Sequence, residues 1–197
     1  MAIGEVDPGQ MVTNNTAVAG QQLVLTKALG TGIVATAIKA GRAGGDTIRA
    51  ATESMATLNR GACEVMRELG IRAATDITGF GLLGHLRQML RVSGVSATLD
   101  SSSLPFLPGV EALSERERFP GGTVRNLKDV AVDVSFPEGM PENRRLLMAD
   151  AQTSGGLLMA VHSETLPELL SQLAGRAPVA EVIGKLEEGP PGRIQVL

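Results

Sequence analysis

Asp76 and the glycines after it are where this sequence could do chemistry. The stretch reads Ala74-Thr75-Asp76-Ile77-Thr78-Gly79-Phe80-Gly81-Leu82-Leu83-Gly84-His85-Leu86. An apolar run with strand character, Ile71 to Ala74, leads into the carboxylate. A glycine-rich turn follows. Leu82, Leu83, Leu86, Met89 and Leu90 then recur at helical spacing, so the turn opens an amphipathic helix. Strand, glycine turn and helix N-terminus make a phosphate-binding geometry, because the N–H groups of the turn and the unpaired donors of the first helical turn point the same way. The expected phosphate-facing residues are Thr78, Gly79, Phe80 and Gly81. Asp76 would oppose an anion there unless a divalent cation lay between them, which makes it the expected metal ligand. The alternative is a tight strand-to-helix turn with a solvated aspartate.

Gly79, Gly81 and Gly84 also spell G-x-G-x-x-G, and Asp100 closes a possible next strand, Val95 to Leu99, roughly where a dinucleotide-binding Rossmann fold places its ribose-binding acid. One detail weighs against that rival. A Rossmann turn offers only backbone to the pyrophosphate, whereas Asp76 stands three residues before the first glycine. Two like charges about 4 Å apart repel by about 1 kcal/mol in water and by more in a dry site. The acid suits a Mg2+–phosphate complex better than a bare dinucleotide.

Two further glycine turns stand out. Asp150-Ala151-Gln152-Thr153-Ser154-Gly155-Gly156 precedes a buried strand and allows close backbone approach, or else Thr153 and Ser154 satisfy local backbone groups. In Thr26-Lys27-Ala28-Leu29-Gly30-Thr31-Gly32, Lys27 could face an anion, although an isolated lysine is ordinarily a solvated surface group. The sequence holds no G-x-x-x-x-G-K-[ST] and no G-x-S-x-G. His85 and His162 have no partner at metal-ligand spacing, so both read as satisfied or exposed. Cys63 reads as a buried, inert thiol on a helix.

Composition narrows the function. The 197 residues are 43% hydrophobic but only 2% aromatic, with no Trp or Tyr, so no aromatic platform exists for single-stranded nucleic acid. A net charge of −3 gives no footprint for nucleic acid or anionic membrane. The single cysteine excludes an internal disulfide framework and fits a reducing cytoplasm. Neither a signal peptide nor a run of about 18 apolar residues is present, so no membrane span is expected.

These turns need elements to hold them. Met11 to Gln22 reads as a loop and Leu23 to Thr26 as a strand. Ile33 to Ala40 reads as a helix stopped by Gly41, and Asp46 as the N-cap of one long or two shorter helices reaching Leu69. After Val95–Asp100, Ser101 to Gly122 reads as irregular with one short helix. Val130, Val132 and Val134 alternate in one phase, the mark of a half-buried strand over Asp129 to Phe136. Pro141 to Met148 reads as a helix, Gly156 to Val161 as a strand, and Ser163 to Leu173 as a helix capped by Ser163. Val179–Leu186 and Arg193–Val196 flank a Gly-Pro-Pro-Gly turn and read as a terminal hairpin. No repeat or low-complexity linker divides the chain, and the expectation is one α/β domain.

Together, in this order and spacing, three segments resemble the C-terminal half of the selenophosphate synthetase (selenide, water dikinase) family. They are Leu23-Val24-Leu25-Thr26-Lys27-Ala28-Leu29-Gly30-Thr31-Gly32, then Ala74 to Leu86, then Asp150 to Leu158; Met55 with Leu58-Asn59 also fits. Ala28 stands where that family usually has Pro, and Val6-Asp7-Pro8 resembles its Val-His-Pro without the His. The resemblance implies a three-layer α/β (α+β) domain with a mixed, partly ferredoxin-like sheet over 23–197, as in the aminoimidazole ribonucleotide synthetase superfamily. It implies that 1–22 is a linker from an absent N-terminal ATP-binding half, which carries the catalytic cysteine or selenocysteine, its lysine partner and most ATP and metal ligands. It implies that the whole enzyme, a homodimer, makes selenophosphate, AMP and phosphate from ATP, selenide and water, with Asp76 as a Mg2+ ligand. This chain alone, with no catalytic residue of its own, is then expected to be inactive. Two alternatives stand beside it: another ATP-dependent synthetase or kinase of the same superfamily, and a Rossmann-type dinucleotide-binding module.

Overall fold

The computed structural model describes residues 4–116 and 119–197. The start of the expected linker (1–3) and two residues of the expected irregular stretch (117–118) lie outside the described residues. Seven strands form one mixed sheet: β1 (Gln22–Leu25), β2 (Ala73–Asp76), β3 (Ser96–Leu99), β4 (Val134–Ser135), β5 (Leu157–Val161), β6 (Glu181–Glu187) and β7 (Ile194–Val196). Among the described residues eight α-helices accompany them: α1 (Thr31–Lys39), α2 (Gly45–Ala56), α3 (Arg60–Glu68), α4 (Gly81–Ser93), α5 (Val110–Arg116), α6 (Gly121–Val130), α7 (Glu142–Met148) and α8 (Leu166–Leu173).

The strand order is β2-β5-β1-β6-β3-β7-β4. Its first four strands are antiparallel neighbours. With α3 between β1 and β2, and α8 between β5 and β6, they make the βαββαβ pattern of a ferredoxin-like unit. Everything from α4 to α7 is inserted between β2 and β5, and β3, β7 and β4 extend the sheet, the last two pairings being parallel.

Alternation along the strands sorts side chains onto the two faces. Leu23, Leu25, Ala97, Leu99, Ile183 and Leu186 meet Leu82, Leu83, Leu86, Met89 and Leu90 of α4 in the largest core cluster. Burying each of those leucines contributes about 1.5–3 kcal/mol. On the opposite face Val24, Met159 and Val161 pack on Val65, Met66, Leu169 and Leu173 of α3 and α8. Helices, sheet and helices are the three expected layers. A third cluster, Ile33, Val34, Ala51, Val110 and Leu147, joins α1, α2, α5 and α7. The N-terminal segment covers the free edge of β2 through a parallel bridge between Thr13 and Ala73.

Four expectations need correction. Asp46 is not an N-cap: Gly44 holds that position, and Asp46 lies in the first turn of α2, paired with Arg49. The α8 helix starts at Leu166 with Thr165 as N-cap, three residues after Ser163. No strand spans 129–136. Helix α6 runs to Val130, a turn follows, and only Val134 and Ser135 join the sheet. Period-two spacing of valines across a helix end, a turn and a strand start imitates one strand. The terminal hairpin does not form either, because β3 inserts between β6 and β7 and pairs with both.

The valines therefore differ in environment, with Val130 buried and Val132 74% exposed. Val132→Asp should change stability by no more than about 0.5 kcal/mol, whereas Val130→Ala should cost about 2 kcal/mol. Urea unfolding of the two variants checks this; similar losses at both positions would restore the continuous strand.

Candidate functional site

The three glycine turns meet at one end of the sheet. Both β1 and β2 run antiparallel to β5, so their carboxyl ends lie together beside its start. Thr26, just past β1, pairs with Leu157 through Thr26 N to Leu157 O at 3.1 Å and Leu157 N to Thr26 Oγ1 at 2.8 Å. Asp76, the last residue of β2, stands opposite Leu157 in register. Ile77 N then donates to Gly156 O at 2.9 Å, and Gln152 N to Thr78 O at 3.0 Å. A side chain at Gly32, Gly155 or Gly156 would strike the backbone of Ala151, Ile77 or Lys27 respectively.

The first and third turns are locked by buried side chains. Gln152 Oε1 accepts from Gly30 N, Thr31 N and Thr31 Oγ1 at 3.1–3.2 Å. Asp150, fully buried, accepts from Gly32 N at 3.0 Å and Ile33 N at 3.1 Å through Oδ2, and from Thr123 Oγ1 at 2.7 Å through Oδ1. Burial pushes the Asp150 carboxyl above the ordinary carboxylate range, while the bonds from Thr123, Ile33, Gly32 and Gln152 pull against it. The N-terminal donors of α1 are thus used inside the protein. Lys27 is not a solvated surface group: it is buried, and its Nζ donates to the carbonyls of Ser54, Thr57 and Ser154.

The central turn is the open one. No side chain caps the N-terminus of α4, and Asp76, Gly79 and Phe80 are exposed, Phe80 at 68%. Gly81 has φ +69°, and a Cβ there would lie 2.6 Å from Ala149 O. Asn126 of α6 fastens the turn from below, donating to Gly79 O at 2.9 Å and Ala149 O at 3.1 Å. His85 is satisfied: its Nε2 lies 3.0 Å from Thr78 Oγ1, and its ring meets Phe80 with centroids 5.6 Å apart. Burial holds the imidazole below the ordinary histidine value, and the Asp76 charge opposes that shift. Grooves flank the turn on both sides. One of about 490 Å³ runs between α4 and α6, lined by Phe80, His85, Arg87 and Asn126. A wider one of about 680 Å³ is lined by Asn59, Arg60, Cys63, Thr75 and Asp76.

Among the described residues no three His, Cys, Asp or Glu side chains gather as a metal cage. One carboxylate beside a hydroxyl still fits Mg2+ as part of a shared donor set, since that ion takes one or two carboxylates and fills its shell with water and phosphate oxygens. Cys63 is half-buried beside the wider groove. His162 is exposed in the turn after β5. Asp100 serves its own loop, accepting from Ser102 and Ser103 side chains at 2.6 Å, and the Ser102 hydroxyl chief among these donors holds it below the usual carboxylate range. The dinucleotide-binding alternative fails on topology, because β5, β1 and β6 separate β2 from β3, which a Rossmann unit would set side by side in parallel. Sequence reasoning missed Thr123 and Asn126 altogether, since both ride on the unrecognised helix α6.

Residues 18–197 match the family described as AIR synthase related protein, C-terminal domain. The chain belongs to that family. Its curated relatives include selenide, water dikinases from Myxococcus xanthus, 44% identical over 191 residues (96% of this chain and 54% of the relative), and from Porphyromonas gingivalis, 45% identical over 183 residues (92% and 52%). The chain spans about half the length of the curated relatives it matches. Two solved structures share the fold at low identity. Thiamine-monophosphate kinase from Stenotrophomonas maltophilia is 16% identical with a TM-score of 0.61, covering 97% of this chain and 54% of its own. The hydrogenase maturation protein HypE is 18% identical with a TM-score of 0.65, covering 96% and 52%.

In this member of the family, Asp150→Ala should orphan the buried donors of Gly32, Ile33 and Thr123 and destabilise the chain by about 3 kcal/mol or more, with Asp150→Asn, which keeps an acceptor, costing less. Thermal unfolding of the pair checks this, and equal melting points would sink it. For His85, NMR titration should give a value below the ordinary 6.5, moving further down in Asp76→Asn because the carboxylate that favours the imidazolium is gone. Near that value the folded state binds fewer protons than the unfolded one. The contribution of His85 to stability is therefore present above pH 6.5 and is lost as pH falls through the folded value.

Proposed function

We propose that this chain is the C-terminal half of a selenide, water dikinase, whose whole form converts ATP, selenide and water into selenophosphate, AMP and phosphate. The observation that carries the reading is identity of 38–45% to proteins of that name across 92–98% of this chain. The open turn agrees with it. In this reading residues 23–197 form the domain, and 1–22 lead from an N-terminal half that brings the nucleophile and most nucleotide and metal contacts. The whole enzyme is a cytoplasmic homodimer, and ATP lies in the cleft between the halves.

In this reading Asp76 would hold a Mg2+ ion together with ligands from the N-terminal half. When bound, Mg2+ neutralises phosphate charge and polarises the phosphoryl group toward attack. Thr78, Gly79 and Phe80 present backbone N–H groups and the Thr78 hydroxyl to the phosphates, Gly81 makes the left-handed turn with its own N–H donated to Thr78 O, and the α4 N-terminus adds its dipole. The His85 contact orients the Thr78 hydroxyl. Asn126 and Ala149 hold the glycines so that the donors are in place before nucleotide arrives, which is where such sites gain most.

In the whole enzyme, Asp76→Asn should fold normally, because the side chain is exposed, and should lower kcat/KM for Mg–ATP by at least about a hundred-fold. The 197-residue chain alone should form no selenide-dependent AMP. An unchanged rate and unchanged Mg2+ dependence in the variant would reduce Asp76 to a turn residue, and AMP formation by the chain alone would sink the division of labour.

A further inference from the structure

Lys27 carries an ammonium into the interior beside the turns that frame Asp76, with 1% of its surface exposed. Its three acceptors are Ser54 O at 2.9 Å, Thr57 O at 2.6 Å and Ser154 O at 2.8 Å. An ammonium has three protons, so none is left for an incoming anion. Ser54 and Thr57 belong to the C-terminal end of α2, where carbonyls lack helical partners and the dipole favours a cation. Ser154 has φ +54°, the left-handed region, alone among the described non-glycine residues. A serine holds that conformation only when its surroundings enforce it.

The next residues reach the site. Gly155 O accepts from Asn59 Nδ2 at 2.9 Å, and Gly155 lies directly on Ile77 O. Gly156 O accepts from Ile77 N, and Gln152 N, on the other side of Ser154, donates to Thr78 O. We propose that Lys27 is a positioning residue for the turn after Asp76: its ammonium holds Ser154 left-handed, and the flanking peptides pass that geometry to Ile77 and Thr78. The proposal rests on the reading of Thr78–Gly81 as phosphate-facing for its effect on nucleotide, but not for its effect on the turn. Burial lowers the Lys27 pKa, yet donating to all three carbonyls at once takes the ammonium, because the neutral amine has only two N–H groups.

Hydrogen exchange on the 197-residue chain tests this with Lys27→Met, which keeps the apolar stem, and Ser154→Gly, which adopts φ +54° without strain. Lys27→Met should raise exchange at the Ile77 and Gln152 amides by about ten-fold relative to amides of β3 and β6. Ser154→Gly, which keeps the 154 carbonyl for Lys27 and relieves the strain, should leave the same two amides no faster than in the parent while its melting point holds or rises, and should recover part of the Lys27→Met loss in the double variant. In the whole enzyme, Lys27→Met should raise KM for Mg–ATP by about ten-fold or more with a smaller change in kcat. Faster exchange confined to the end of α2, or uniform across the sheet, would overturn the proposal. Should Lys27→Met not fold, faster exchange at Ile77 and Gln152 in Ser154→Gly would overturn it alone. If both amides respond but KM for Mg–ATP does not, Lys27 positions the turn and the phosphate-facing reading is what fails.

Discussion

The Asp150 carboxylate stands where three glycine turns and two helices meet, with no water-facing surface to solvate it. Removing a carboxylate from water costs several kcal/mol unless oriented donors replace the solvent. The N-terminus of α1 supplies two of them, Thr123 of α6 a third, and Gln152 a more distant fourth at 3.3 Å. That requirement fixes much else. It pins α1 against the third turn and ties α6 to the start of α7's exit loop. It leaves Gln152 free to bond Gly30 and Thr31 through its oxygen. It also decides which helix end stays available. The donors of α1 are consumed internally, and those of α4, two strands away in the sheet, face outward beside Asp76.

Much of this was readable from residue types because the signals were local. The five apolar residues of α4 keep helical spacing, and Asp76 followed by glycines marks where strand gives way to helix. What escaped was decided at a distance. Val130, Val132 and Val134 share a phase only because a helix end, a three-residue turn and a strand start succeed one another. The Gly-Pro-Pro-Gly reversal near 189–192 is real turn chemistry, yet whether its flanks pair depends on β3, nearly a hundred residues earlier, entering between them. Lys27 looked solvated because a lone lysine carries no sign of the helix end that will surround it. Its acceptors are main-chain carbonyls, and main-chain carbonyls leave no mark in a sequence. The roles of Asp150 and Gln152 were hidden for the same reason, although the glycines beside them drew attention to the turn.

On the proposed reading, one carboxylate, one hydroxyl and a few backbone donors are too few to hold a metal–nucleotide complex unaided, and the chain spans about half the length of its curated relatives. The geometry suits a shared site. The open turn lies between two grooves, with the exposed Phe80 ring at its crest. Behind it the backbone is fastened by Asn126, Gln152 and Gly156. A rigid lip of this kind can receive a second surface without rearranging, so less ordering entropy is lost on closure.

The place of β7 has a consequence for how the chain is made. Its three residues, Ile194 to Val196, lie between β3 and β4, and β4 has no other neighbour in the sheet. A ribosome delivers β3 and β4 long before β7. Until residue 196 emerges, β4 cannot join, and the edge of β3 that will receive β7 stays bare. An unpaired edge is a template for other chains. The sheet is therefore completed from the inside: β3 joins only once β6 has emerged and β4 only once β7 has, and in between the open edge of β3 is a missing rung that a neighbouring extended chain could occupy.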